Sequence, residues 1–285
     1  MSADFAAAEQ FMLRDARLLD RLRFAQRFHD GSAEAVVAAL LAYRNDDAGF
    51  GNALEPDLRG AASQPVPLEH ALRTLDEAGI WDEEIVERGC GWLSSVSTDA
   101  GGVPFVLETV ANGPHAPWWE ATGEAYINPT AGIAGLLHKH GSEHAWLRTA
   151  TEYVWLTLES GAELGADDTL SVLTFLEHVP DRARAQSAFN ALVGRIDELV
   201  ALDPEAGGYV KTPLDFAPRP DTLARALFDD ATIELHLDAL EAKQQDDGGW
   251  PITWEPPSVA AVNEWRGYVT LRALDVIDRY GRLAT

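Results

Sequence analysis

The stretch Gln244-Gln245-Asp246-Asp247-Gly248-Gly249-Trp250 joins two apolar runs through an acid-rich turn, a glycine pair and a large ring. The same order recurs upstream in Asn45-Asp46-Asp47-Ala48-Gly49-Phe50, Thr98-Asp99-Ala100-Gly101-Gly102-Val103 and Asp203-Pro204-Glu205-Ala206-Gly207-Gly208-Tyr209. Phe50 to Val103 is 53 residues, Val103 to Tyr209 is 106, twice as many, and Tyr209 to Trp250 is 41. The doubled interval predicts one unit whose marker has been lost. A period of this length, filled by helices, describes a stack or ring of helical hairpins sharing one core.

Helical filling follows from the spacing of apolar residues between the turns. Leu68, Ala71, Leu72 and Leu75 recur at three and four residues, as do Leu170, Leu173, Phe175 and Leu176, and Ile233, Leu237 and Leu240. No segment sustains an alternation of period two, so the expectation is ten or eleven helices and essentially no sheet. Asp82, followed by Glu83 and Glu84, reads as a helix N-cap with acids where the helix dipole favours them, and Ser32 and Ser142 read the same way. Three connections, 45–67, 98–129 and 202–220, are longer and richer in glycine, proline and rings than a hairpin needs, and such loops are where function tends to sit.

The chain has 285 residues, 46% of them hydrophobic, enough for a substantial core, and the repeat runs through nearly all of it, so residues 1–285 read as one domain. The formal charge is −24, with Lys139, Lys211 and Lys243 the only lysines. That field repels nucleic acid and anionic lipid, and it opposes diphosphate substrates; most of the carboxylates also serve simply as a soluble surface. The N-terminus carries no export leader or spanning run, and the single Cys90 excludes an internal disulfide, so the expectation is a reduced, cytoplasmic protein without a membrane span. Cys90 itself falls on an apolar helix face, the setting of a small buried hydrophobe rather than of a zinc ligand or thioester.

Glu55 and Asp57, held apart by Pro56 and followed by Arg59, form either an acid/base pair in the first long loop or two caps paired with the arginine. His115 sits between Pro114 and Ala116, close to Trp118 and Trp119. Two adjacent indoles on a stiff loop need separate apolar homes, so one of them is expected at a cavity mouth with His115; the plainer reading is a lid with His115 bonded to backbone. His138, His140 and His144 straddle Gly141 with ragged spacing and make a poor metal set. No phosphate loop, nucleotide fingerprint or nucleophile elbow is present, and neither a metal nor a cofactor is expected.

The Gln-x-x-Asp-Gly-Gly-Trp pattern at 244–250, with its three looser copies, resembles the QW-type repeats of the terpenoid cyclase and protein prenyltransferase superfamily. Gly49-Phe50-Gly51-Asn52-Ala53-Leu54-Glu55-Pro56-Asp57 and Pro114-His115-Ala116-Pro117-Trp118-Trp119 are similar to stretches of its short, single-toroid bacterial members. The resemblance implies an all-α, α/α toroid of five or six helical hairpins, with the glycine turns at one rim and an inner ring of helices lining a cavity. Gly165-Ala166-Asp167-Asp168-Thr169 is similar to the Asp-x-Asp-Asp-Thr motif of class II terpene cyclases, with Gly165 in place of the first aspartate. That likeness implies Asp167 as the proton donor and Asp168 as its partner; an Asp-Asp pair at a helix start also reads as a cap.

Three functional readings follow. The first is a terpenoid cyclase-like enzyme acting by acid on a neutral polyprenyl substrate, with Asp167, Asp168, Glu55, Asp57 and His115 as catalytic candidates and Phe50, Trp118, Trp119, Tyr126, Trp250 and Trp254 as the aromatic wall. Trp250 and Trp254, with Trp265, read equally as packing between repeats. The second is a carbohydrate-active enzyme using a carboxylate pair such as Glu55 with Asp168, because sugars stack on the same rings. The third is a non-catalytic toroid that binds a peptide, a lipid or a partner protein in the same concavity, where a small hydrophobic or neutral ligand is the partner expected.

Overall fold

A computed structural model describes residues 2–283. The described residues hold twelve α-helices, α1 (Phe5–Asp15), α2 (Leu18–Phe28), α3 (Ala33–Leu40), α4 (Pro65–Ala78), α5 (Glu83–Val96), α6 (Ile127–Lys139), α7 (Ala145–Glu159), α8 (Ala166–His178), α9 (Arg182–Leu199), α10 (Pro213–Phe216), α11 (Asp230–Ala242) and α12 (Val259–Arg279), and three short 3-10 turns, joined by loops. The count exceeds the sequence expectation by the four-residue α10. Extended structure among the described residues is limited to isolated bridges such as Leu58 with His115. None of these helices is long and apolar enough to cross a membrane.

Contacts gather the chain into two compact units, residues 33–192 and residues 1–32 with 193–285. Within the 33–192 unit, α6 is buried on nearly every side, among α4, α7 and α8. A helix apolar all round belongs in the middle of a core, and two glycines let its neighbours approach. A Cβ on Gly135 would stand 2.5 Å from the Thr174 carbonyl oxygen of α8, and one on Gly132 would stand 2.2 Å from Glu69 Oε1 of α4. The other unit packs α1 against α2 and α12 over Phe11, Met12, Phe24, Trp250, Leu274 and Ile277.

Three of the four repeated turns are the same object. In each, the backbone N–H of the first residue donates to the carbonyl four residues on, and the N–H three residues on donates back: Asn45 with Gly49 and Ala48 (2.9 and 2.9 Å), Thr98 with Gly102 and Gly101 (3.0 and 2.9 Å), Gln245 with Gly249 and Gly248 (2.9 and 2.8 Å). The fourth residue of each is left-handed, with φ of 71° at Ala48, 94° at Gly101 and 92° at Gly248, the conformation that favours glycine at two of the three. The fifth is glycine because a ring lies over it: an added Cβ would come within 2.8 Å of Trp92 at Gly49, 2.7 Å of Tyr153 at Gly102 and 2.8 Å of Phe11 at Gly249. The acids serve the turn as well, since Asp47 and Asp247 accept the N–H of Gly49 and Gly249 at 2.9 and 3.1 Å. The segment 203–209 departs from this pattern: Ala206 N–H returns to Asp203 O at 3.1 Å and Gly208 takes the left-handed φ of 81°, leaving Gly207 with no ring above it.

The caps show one success and one correction. Asp82 accepts from Ile85 N–H at 2.9 Å, as the sequence predicts. Ser142 does not start α7; His144 does, its Nδ1 accepting from Trp146 N–H at 3.0 Å, because Gly141 at φ 66° prolongs the exit from α6 past the serine. Cys90 is buried in α5, and burial pushes its thiol up to about 12.

Candidate functional site

The candidate site is built on the first turn of α8. Asp168 is its third residue and turns back, accepting from Gly165 N–H at 3.0 Å, while the Thr169 hydroxyl donates to Gly165 O at 2.8 Å. The first bond satisfies an N–H that a helix start leaves open, and the second adds to the bond that the Gly165 carbonyl already accepts from Thr169 N–H at 3.0 Å. Asp168 is 8% exposed and also receives the Tyr126 hydroxyl at 3.3 Å. Burial raises its pKa, the bonds from Gly165 and Tyr126 oppose that, and the charge of Asp167 adds to it, leaving the carboxyl above the ordinary range.

Tyr126 is placed by the turn at 98–103. Its N–H donates to Val103 O at 2.9 Å, and Thr130 of α6 receives Val103 N–H at 3.1 Å and donates to Tyr126 O at 2.7 Å. The repeated turn therefore fixes the ring that meets Asp168. From Tyr126 the aromatic contacts continue to Phe105 (centroids 5.4 Å apart) and on to Trp119 (4.7 Å). Burial, then the Asp168 charge, lifts the Tyr126 phenol above its usual value, and burial does the same for Tyr153.

A second acid joins from α4. Glu69 fills the notch left by Gly132 and accepts from Arg73 at 2.8 Å. Burial raises its pKa against the pull of Arg73, and Asp167 raises it further. Ser171 of α8 accepts Gly132 N–H at 2.8 Å and locks α6 to α8 at this level. Asp167 thus acts on both Asp168 and Glu69, and these two hold protons to higher pH than a free carboxyl does. Sequence reading names Asp167, Asp168 and Tyr126 as candidates but not Glu69, Tyr153 or Phe105, which the structure places beside them. Only the Glu69/Arg73 spacing of four, an ordinary helix pair, marked Glu69, whereas its burial comes from the Gly132 notch.

His115 belongs to a neighbouring place. The segment 57–59 runs beside 114–116, with Ala116 N–H bonded to Asp57 O at 3.0 Å and Arg59 N–H to Pro114 O at 2.9 Å. Beside them lies a cavity of about 10 Å³, the size of one water, lined by Gly51, Leu58, Gln64, Thr109, Val110 and His115. His115 Nδ1 bonds Gly113 O at 2.8 Å; a carbonyl only accepts, so Nδ1 carries the hydrogen. Glu55 and Asp57 are 3% and 2% exposed, in a loop where Asn52 and Ala53 take consecutive left-handed φ of 56° and 62°. Strain of that kind in a buried loop is stored where surrounding structure over-determines it.

The aromatic candidates are dispersed. Phe50 is fully buried under its turn, and Trp119 is buried among Leu58, Val66, Val106, Val110 and Ala116, with its indole N–H unsatisfied. Trp118 and Tyr126 are 46% and 42% exposed. Trp250 and Trp254 lie in the other unit: Trp250 is core, its N–H bonded to Leu240 O at 2.8 Å, and Trp254 stacks edge-on to Trp265. The three histidines flanking Gly141 have separate employments, His138 on Thr151, His140 on Asp76 and against the Trp81 ring, and His144 as a cap.

No protein-family model matches the chain, and no curated protein matches it. Among solved structures, the crystal structure of a protein from Actinoplanes superposes with a TM-score of 0.61, covering 97% of this chain and 99% of that one at 16% identity. At that identity the likeness shows the fold alone.

Proposed function

We propose that the chain is a single α/α toroid of the terpenoid cyclase-like class that acts by acid on a neutral, apolar, polyprenyl-type substrate, with Asp168 rather than Asp167 as the donor. The observation that carries this reading is the Asp168 carboxyl itself, buried, raised in pKa, and bonded to Tyr126 at the start of an aromatic run. Burial favours the protonated carboxyl, and the Gly165 N–H and Tyr126 hydroxyl are placed to receive the negative charge when the proton leaves. The proton passes to an alkene carbon, the two electrons of the double bond form the new C–H bond, and the cation left behind lies over the faces of Tyr126 and Phe105. Loss of a proton from a neighbouring carbon back to the Asp168 carboxylate closes the cycle. The net charge of −24 favours substrates without phosphate.

A second reading is non-catalytic binding on the same face, favoured by the exposure of Tyr126 and Trp118, because an open face admits water that would quench a cation. The glycan reading needs Glu55 opposite Asp168, whereas the carboxyls coupled to Asp168 and its neighbour are those of α8 and Glu69. Incubation with acyclic polyprenes and polyprenyl alcohols, followed by mass spectrometry of extracted products, separates the readings. Turnover by the wild type that is lost in Asp168→Asn supports the enzyme. Saturable binding without conversion, unchanged in Asp168→Asn, supports the binding module, and neither binding nor turnover removes both.

A further inference from the structure

The unit of residues 1–32 and 193–285 carries a run of four rings, each edge-on to the next. Tyr209 and Trp254 have centroids 5.7 Å apart at 87°, Trp254 and Trp265 5.1 Å at 81°, and Trp265 and Tyr268 5.5 Å at 86°. Two rings at right angles present two faces to one corner, and each face carries the negative end of the ring quadrupole. The run already lodges cations at both ends: Lys211 Nζ stands 4.3 Å over the Tyr209 centroid, and Arg23 Cζ stands 5.4 Å over Tyr268. Tyr209 is 58% exposed, and Trp254 and Trp265 are half-buried, so solutes reach the run.

We propose that the corner between Trp254 and Trp265 binds a small quaternary ammonium ion. Two features favour such an ion over other solutes. Its methyl groups give it an apolar skin that can leave water cheaply and lie against two indole faces at once, which a hydrated metal ion cannot do. Its charge is attracted by a chain of formal charge −24, with Glu255 and Glu264 adjoining the two indoles in sequence. Phosphate-bearing forms of the same head are disfavoured by that field. This site is independent of the Asp168 reading, since it lies in the other unit.

The full-length protein is titrated with choline chloride, with 3,3-dimethylbutan-1-ol, which has the same shape without the charge, and with sodium chloride at matched ionic strength. Saturation-transfer NMR on the N-methyl signal and tryptophan fluorescence report binding. We expect saturable millimolar binding of choline, with the neutral analogue at least about tenfold weaker. Trp254→Ala should weaken choline by about tenfold and Trp254→Phe by less, with far-UV circular dichroism unchanged in both. A peptide bearing trimethyl-lysine, run as a separate arm, tells whether the head is taken from a small molecule or a side chain. Equal binding of the neutral analogue overturns the proposal, as does choline binding that Trp254→Ala and Tyr209→Ala leave untouched in folded protein.

Discussion

Gly135→Ala tests whether the close approach of α6 and α8 holds the 33–192 unit together. The new Cβ would lie 2.5 Å from Thr174 O, 2.6 Å from Thr174 C and 2.7 Å from Phe175 N. All three are backbone atoms of α8, so no rotamer change relieves the clash. Restoring an ordinary 3.4 Å contact parts the helices by about 0.9 Å, and a gap of that order forfeits roughly a quarter to a half of the dispersion energy of the facing atoms. Overpacking costs about 1–3 kcal/mol, here at the upper end, and the better helix propensity of alanine returns about 1 kcal/mol, for a net loss of about 2 kcal/mol. Gly91→Ala in α5 is the control, because nothing lies within 4 Å of its added Cβ; it should gain up to about 1 kcal/mol by propensity alone. Thermal unfolding followed by circular dichroism reads both, at about 2–4 °C per kcal/mol or somewhat less for a chain of this size. Equal or higher melting of Gly135→Ala than of Gly91→Ala would refute the reasoning, since identical changes in side chain would then have ignored the packing.

Three more outcomes follow from charges and bonds. Asp168 has a raised folded pKa, so the folded state keeps a proton that the unfolded state has lost, and stability falls as pH rises from the unfolded value near 3.8 through the folded one; Asp168→Asn should remove that slope in pH-dependent urea unfolding. For Asp76, burial raises the pKa but the bonds and charges of Lys139 and His140 outweigh it, so its folded pKa is depressed below 3.8. Its stabilisation is present above that value and lost as pH falls through the folded pKa, and Asp76→Asn should flatten the acid limb by about 1 kcal/mol, screening by solvent included. Arg266 grips Asp247 at 2.7 and 2.8 Å and Gln245 at 2.7 Å, and lies 4.6 Å over the Phe11 ring. Arg266→Lys keeps the charge but loses the fork and should cost roughly 1 kcal/mol, with faster amide exchange at Gly248 and Gly249; unchanged exchange there would show that the turn holds itself.

The sequence by itself determined whatever depends on a few adjacent residues. Glycines at left-handed positions, acids that cap the following N–H, and apolar spacing of three and four are local, and they disclosed the three equivalent turns, the helical class and the Asp82 cap. Even there the local signal has a limit: 203–209 carries the same letters, yet no ring covers Gly207, and another turn forms. Ser142 fails for a local reason that the cap pattern does not weigh: the left-handed Gly141 beside it decides where α6 releases the chain. Tertiary structure alone decided the chemistry of the site. Asp167 and Asp168 are neighbours in sequence, but Asp168 meets Tyr126, and Glu69 is brought to their level across the Gly132 notch from nearly a hundred residues away. A carboxyl's pKa is set by the water it loses and the groups it meets, and both are properties of packed helices rather than of the chain that forms them.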